Sequence, residues 1–153
     1  MFFAELEGEA ELAEAWGSAT NIIRDGAAQA VMRGVREGAA EARTKHTFRN
    51  RTKTLEESIE GTALGWKGDR FDGLIRATAP YASYVEEGTK AHLIPGNPLL
   101  SFESKGRRVV VHWVEHKGTK PMPFMALAYL KAERVIIREI ELGIERAQER
   151  LDR

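Results

Sequence analysis

The chain has 153 residues, no cysteine, and 23 Lys/Arg balanced by 23 Asp/Glu, so its formal net charge is zero. The lack of cysteine removes disulfide staples, thiolate zinc sites and cysteine nucleophiles together, and the charge balance argues against a general polyanion binder. A hydrophobic share of 42% and a charged share of 30% are ordinary for a globular chain long enough to bury a core.

The first residues, Met1-Phe2-Phe3-Ala4-Glu5, lack the basic start and apolar run of a signal peptide. No stretch approaches the roughly 18–20 apolar residues that cross a bilayer, so the expectation is a soluble, intracellular chain without a membrane partner. Residues 5–42 read as one long helix. Leu12, Trp16, Ala19, Ile23, Ala27, Ala30, Gly34 and Gly38 advance in steps of three and four. The stripe is narrow and mostly small. Each internal glycine costs about 1 kcal/mol of helix propensity relative to alanine, so the helix must gain stability from packing. Leu12, Trp16, Ile23, Gly34 and Gly38 are the candidate interface residues, expected to lie partly against another subunit.

Residues 43–53 contain Arg43, Lys45, Arg49, Arg51 and Lys53 and no acid. With Phe48 as its only large apolar residue, the segment reads as an exposed loop or mobile arm, disordered in the free subunit. Its five cations are candidate DNA-facing residues, since each Lys/Arg could displace a counterion from a phosphate. The acidic counterpart is the chain start, with Glu5, Glu7, Glu9, Glu11 and Glu14. Acid on one subunit meeting base on the next would favour association between copies without any net charge.

Strands are expected over 59–66 and 71–78, joined by a Gly68-Asp69 turn. A short helix follows over 80–87. Pro80 suits its first turn, Gly88 its end, and Tyr81, Tyr84 and Val85 share a face expected to bury both rings against the sheet. Residues 89–98, with Pro95-Gly96-Asn97-Pro98, are expected to be irregular. Two more strands follow over 99–102 and 108–114, the second apolar on both faces and therefore expected to be central. Pro121 and Pro123 stop one element and launch the last helix over 123–150, with Phe124 as a buried anchor. Phe124, Leu127, Leu130, Ile137, Ile140, Ile144, Ala147 and Leu151 mark its apolar face. The fold class is α+β: a long N-terminal helix, an antiparallel sheet interrupted by a short helix and packed on the terminal helices, and a long C-terminal helix. The organisation is a single domain over 1–153, divided into 1–42, 43–54, 55–121 and 122–153.

Constellations for catalysis are weak. His112 and His116 share a strand face with His92 nearby in sequence, but no Asp or Cys completes a metal set. Glu86 and Glu87 are adjacent on a helix and diverge by about 100°, so one should pair with a base and the other face water. The serines sit in no nucleophile pattern and no Gly-rich loop matches a phosphate cradle. No enzyme activity, metal or cofactor is expected.

The sequence Ala79-Pro80-Tyr81-Ala82-Ser83-Tyr84-Val85-Glu86-Glu87-Gly88-Thr89 and the later Pro121-Met122-Pro123-Phe124-Met125 resemble paired motifs of the tail-completion or neck proteins of long-tailed bacteriophages. In this minor-tail-protein family, A-P-Y-A-x-Y-V-E-x-G-T precedes a sheet and P-x-P-F-h opens the last helix. A third motif, T-G-x-L-x-x-S-I, aligns with Thr52 to Ile59, with Lys53 in place of the glycine. The resemblance covers about residues 52–128. It implies a non-enzymatic virion protein, assembled in the host bacterial cytoplasm, that forms a ring at the neck. Its implied partners are itself, head-completion and tail-terminator or tail-tube proteins, and DNA phosphates in the channel. Sixfold symmetry is the natural expectation because tails are sixfold. The alternative is a small, non-sequence-specific nucleic-acid-binding module using the basic arm, against which stands the lack of any recognised motif beside it.

Overall fold

The computed structural model describes residues 9–49 and 52–152. Expectations resting on Glu5, Glu7, Arg51 or the side chains of Glu9 and Leu12 lie outside what it describes. Helix α1 (Glu9–Thr44) has 36 residues and spans about 54 Å. Helix α4 (Phe124–Leu151) runs antiparallel to it: along α1, Gly26, Gly34 and Gly38 face Gly143, then Ala132 and Ile136, then Ala128. A Cβ placed on Gly26 would lie 3.4 Å from the Gly143 Cα, so the two backbones touch. The close approach expected of the small-residue stripe is therefore real, but at Gly34 and Gly38 its partner is α4 of the same chain, not another subunit. Arg33 adds ion pairs to Glu139 at 2.6 Å and Glu37 at 2.9 Å, and Lys131 reaches Glu37 at 3.3 Å.

The buried side of α4 also differs from the expected face. Phe124 and Ala147 are inside, as anticipated, but with Ala128, Ala132 and Gly143. Leu127, Leu130, Ile137, Ile140, Ile144 and Leu151 are all exposed, Ile137 to 51%. Helix-to-helix contact at backbone distance admits only small residues, so the large ones turn outward.

Strands β1 (Ile59–Lys67) and β2 (Arg70–Ala77) form an antiparallel hairpin in register from Ile59↔Ala77 to Lys67↔Arg70, with a bulge between Ala63 and Gly65. The hairpin lies across α1. Gly61 meets the Val35 carbonyl, Gly73 sits against Val31 and Val35, and Ile59 and Ile75 are buried. The core continues through Val35, Ala39, Ala42, Phe48, Leu55 and Phe124.

Strands β3 (His92–Ser104) and β4 (Arg107–His116) pair only with each other. The expected single sheet is thus two separate hairpins, and only the first packs on the long helices. The irregular loop predicted over 89–98 is corrected too: Leu93, Ile94 and Pro95 pair with Glu115, Val114 and Trp113, and register resumes at Leu100↔Val111. In a two-stranded ribbon every strand is an edge, where a missing proline N–H is tolerated. For the same reason β4 is not central: Val110 and Trp113 are 51% and 58% exposed. Lys105 and Gly106, both at positive φ, close the tip.

Candidate functional site: the joint at the start of α4 and the surfaces around it

The two sequence motifs meet at one joint. Helix α3 (Ala82–Glu87) is only six residues long, with Tyr81 at its N-cap. Pro80 therefore precedes it instead of occupying its first turn. Gly88 ends it at φ 74, where a side chain would strike the Thr119 carbonyl and the Pro121 nitrogen. Thr89 and Thr119 exchange backbone hydrogen bonds of 3.0 and 3.1 Å, and the Met122 N–H donates to the Val85 carbonyl at 2.9 Å. These contacts hold the root of the β3–β4 hairpin, α3 and the chain entering α4 together.

Glu86 completes the joint. The N-terminus of α4 presents Pro123 as its N-cap residue, which offers no side-chain acceptor. Instead, the backbone N–H groups of Phe124 and Met125 donate to Glu86 Oε2 at 2.8 Å each, and that of Ala126 to Oε1 at 3.2 Å. A carboxylate there satisfies three orphan donors and meets the positive end of the helix dipole. The expectation that one glutamate of the pair would meet a basic residue is corrected: Glu86 caps a helix, while Glu87 is exposed.

The tyrosines do not behave as expected. Tyr81 is 40% and Tyr84 62% exposed, because α3 is too short to lay a full face on anything. Tyr81 instead borders an open groove of about 450 Å³ with Phe48, Leu55, Val85 and Met122.

The described residues of the basic segment make specific contacts with the rest of the chain. α1 continues to Thr44, and Arg43 donates to the Ile59 carbonyl through Nε at 3.0 Å and through Nη2. His46 stacks on Phe48 at 3.7 Å and bonds Glu56 at 2.7 Å, and Phe48 is 8% exposed, edge-on to Phe124. One aromatic anchor is enough to pin the turn. Lys45 and Arg49 are exposed, and Lys53 sits at φ 59 as N-cap of helix α2 (Thr54–Glu57). Its left-handed conformation is the one glycine adopts most readily.

Of the interface candidates, Trp16 and Ile23 are 57% and 47% exposed. His92 and His116 are cross-strand partners with ring centroids 5.0 Å apart. Among the described residues, no group of three or more His, Asp or Glu could hold a metal ion, and no helix is long and apolar enough to cross a membrane. Sequence reasoning anticipated the second hairpin but missed that it stands exposed and apart from the long helices, and it missed the Glu86 cap. It also missed most of the small-residue face of α4, although Ala128, Ala132 and Gly143 recur at helical spacing with the anticipated Ala147.

A protein-family profile described as "Bacteriophage HK97-gp10, putative tail-component" matches residues 10–88. The match takes in nearly all of α1, the first hairpin and the motif through Gly88, and it ends before the Pro-x-Pro-Phe motif. Comparison with curated proteins and with solved structures finds no match. With just over half of its length inside that profile, the chain belongs to the HK97-gp10-like family of bacteriophage tail components.

Proposed function

We propose that the protein is a non-enzymatic structural subunit that forms a ring at the phage neck, completes the tail and joins it to the head around the DNA passage. Family membership supports the tail assignment. The observation that carries assembly is surface area. The chain exposes 12107 Å², whereas a folded monomer of 17.1 kDa exposes about 7,800 Å². The excess, about 4,000 Å², equals several standard interfaces at about 800 Å² per partner. Its composition fits, since Trp16, Trp113 and the Leu/Ile side of α4 are among the exposed residues.

The test has two parts. Light scattering and electron microscopy of the purified full chain are expected to give closed rings, sixfold by the symmetry of tails. Phage lacking the protein are expected to yield separate heads and tails, rescued by supplying it. A strictly monomeric protein at about 100 μM, together with joined particles in its absence, would overturn the reading. The nucleic-acid alternative draws less support, since Arg43 is committed to the Ile59 carbonyl and Phe48 to the core.

A further inference from the structure

Among the described residues, the β3–β4 hairpin packs on neither long helix nor on the other hairpin, so its apolar residues are left without a layer laid over them. Phe102↔Val109 and Leu100↔Val111 are register partners and share a face, which alternation extends to Trp113 and its partner Pro95. That face forms no packed interface with α1 or α4. The ribbon is also basic. Residues 90–120 hold Lys90, Lys105, Arg107, Arg108, Lys117 and Lys120 against Glu103 and Glu115, with Lys105, Arg107 and Arg108 clustered at the tip.

The opposite character sits at the far end of the molecule. The chain up to Ile23 carries only glutamates as charged side chains, and the first Lys/Arg is Arg24. Glu11 and Glu14 are exposed there. Trp16 and Ile23, seven residues apart and hence on one side of α1, are exposed as well. The hairpin root is fastened by Glu86 to the start of α4, beside the C-terminal end of α1. The acidic end of α1 lies about 50 Å along that helix, so a hairpin that packs on neither long helix cannot cover it in the same chain. The Leu/Ile side of α4 mixes Glu and Arg along its length and offers the hairpin no matching charge.

We propose that the apolar face of the β3–β4 hairpin docks against the Trp16–Ile23 side of α1 in a second copy of this chain, with its basic tip drawn to the glutamate-rich helix end. The contact is head-to-tail, so it repeats around a closed ring. It rests on the ring reading above and specifies which surfaces make the ring.

Because the chain has no cysteine, single-cysteine variants give an unambiguous test. Thr20→Cys on α1 and a size-tagged Phe102→Cys on the hairpin, mixed and oxidised, are expected to form a mixed disulfide, with neither variant linking to itself. Independently, Lys105→Glu/Arg107→Glu/Arg108→Glu is expected to weaken assembly at least tenfold with an unchanged helical spectrum. Adding Glu11→Lys/Glu14→Lys on the partner copy should restore it. Rings that persist without the mixed disulfide and without a charge-reversal effect would overturn the docking while leaving the ring reading intact. A chain that stays monomeric in every condition would overturn both. Charge reversal that abolishes retention on duplex DNA but leaves assembly untouched would also overturn it, assigning the tip to phosphate contact instead.

Discussion

Replacing Glu86 isolates the joint from everything else in the molecule. The carboxylate is half-buried and accepts three backbone N–H groups across 38 to 40 residues of chain. Glu86→Ala leaves those donors without a protein acceptor and removes a negative charge from the helix N-terminus. A lost N-cap costs about 1–2 kcal/mol and a partly buried dipole interaction up to about 2 kcal/mol, so about 1–4 kcal/mol is expected. For a domain of this size that corresponds to a Tm lowered by about 2–16 °C. Glu86→Gln keeps one carbonyl oxygen but no charge, and turns an amide N–H₂ toward a backbone donor, so it should lose about half as much. The assay is thermal unfolding at a fixed protein concentration, since assembly would otherwise shift Tm. Amide exchange at Phe124, Met125 and Ala126 supplies the local readout, rising in both variants before the rest of α4. An alanine variant within about 2 °C of the parent, with exchange at those amides unchanged, would refute the capping argument.

Gly61→Ala drives a methyl onto the Val35 carbonyl and is expected to destabilise by about 1–3 kcal/mol, the usual range for overpacking, measured by urea unfolding. Gly38→Leu meets the Ala128 carbonyl oxygen and Ile75, so it should break the α1–α4 contact inside the subunit, seen as lost helical cooperativity in the monomer. Hydrogen bonding from Arg33 and then Lys131 holds the Glu37 carboxyl below its ordinary value of 4.5, against burial. Its contribution is thus present above that value and lost as pH falls through the lowered one. Glu37→Gln should be less stable than the parent at neutral pH, with the gap closing as pH falls below the ordinary carboxylate value and through the lowered one.

The elements that local chemistry dictates were legible in the sequence. The three-and-four spacing of small residues announced α1, Gly68-Asp69 announced the first hairpin turn, and Gly88 marked the end of α3. What escaped had its cause elsewhere in the chain. The Glu86 cap joins a side chain to backbone donors 38 residues away, a pairing that leaves no periodic trace. Phe48 stood alone among cations and gave no stripe, yet His46 within the segment and Phe124 from far along the chain supplied its neighbours. On α4 the eye follows Leu and Ile, whereas contact at backbone distance with α1 selected Ala128, Ala132, Gly143 and Ala147. The Tyr81 and Tyr84 expectation failed for a related reason: apolar spacing shows that residues share a face, and says nothing about whether a layer lies opposite it.

That inversion, alanine and glycine inside with leucine, isoleucine and tryptophan outside, ties stability to assembly. Fully burying a Leu or Ile side chain contributes about 1.5–3 kcal/mol, and Leu130, Ile137, Ile140 and Ile144 are each still 39–51% exposed. Covering those four would add on the order of 1 kcal/mol apiece, a sum comparable with the lower end of the whole stability of a typical domain, about 5–15 kcal/mol. The subunit should then unfold at a temperature that climbs with its own concentration, because a partner binds the folded state and not the unfolded one. Thermal unfolding from about 1 to 100 μM is the measurement, and a rise of several degrees is expected. A Tm that stays flat over those two decades, in a sample shown to be folded, would mean that these side chains remain in water.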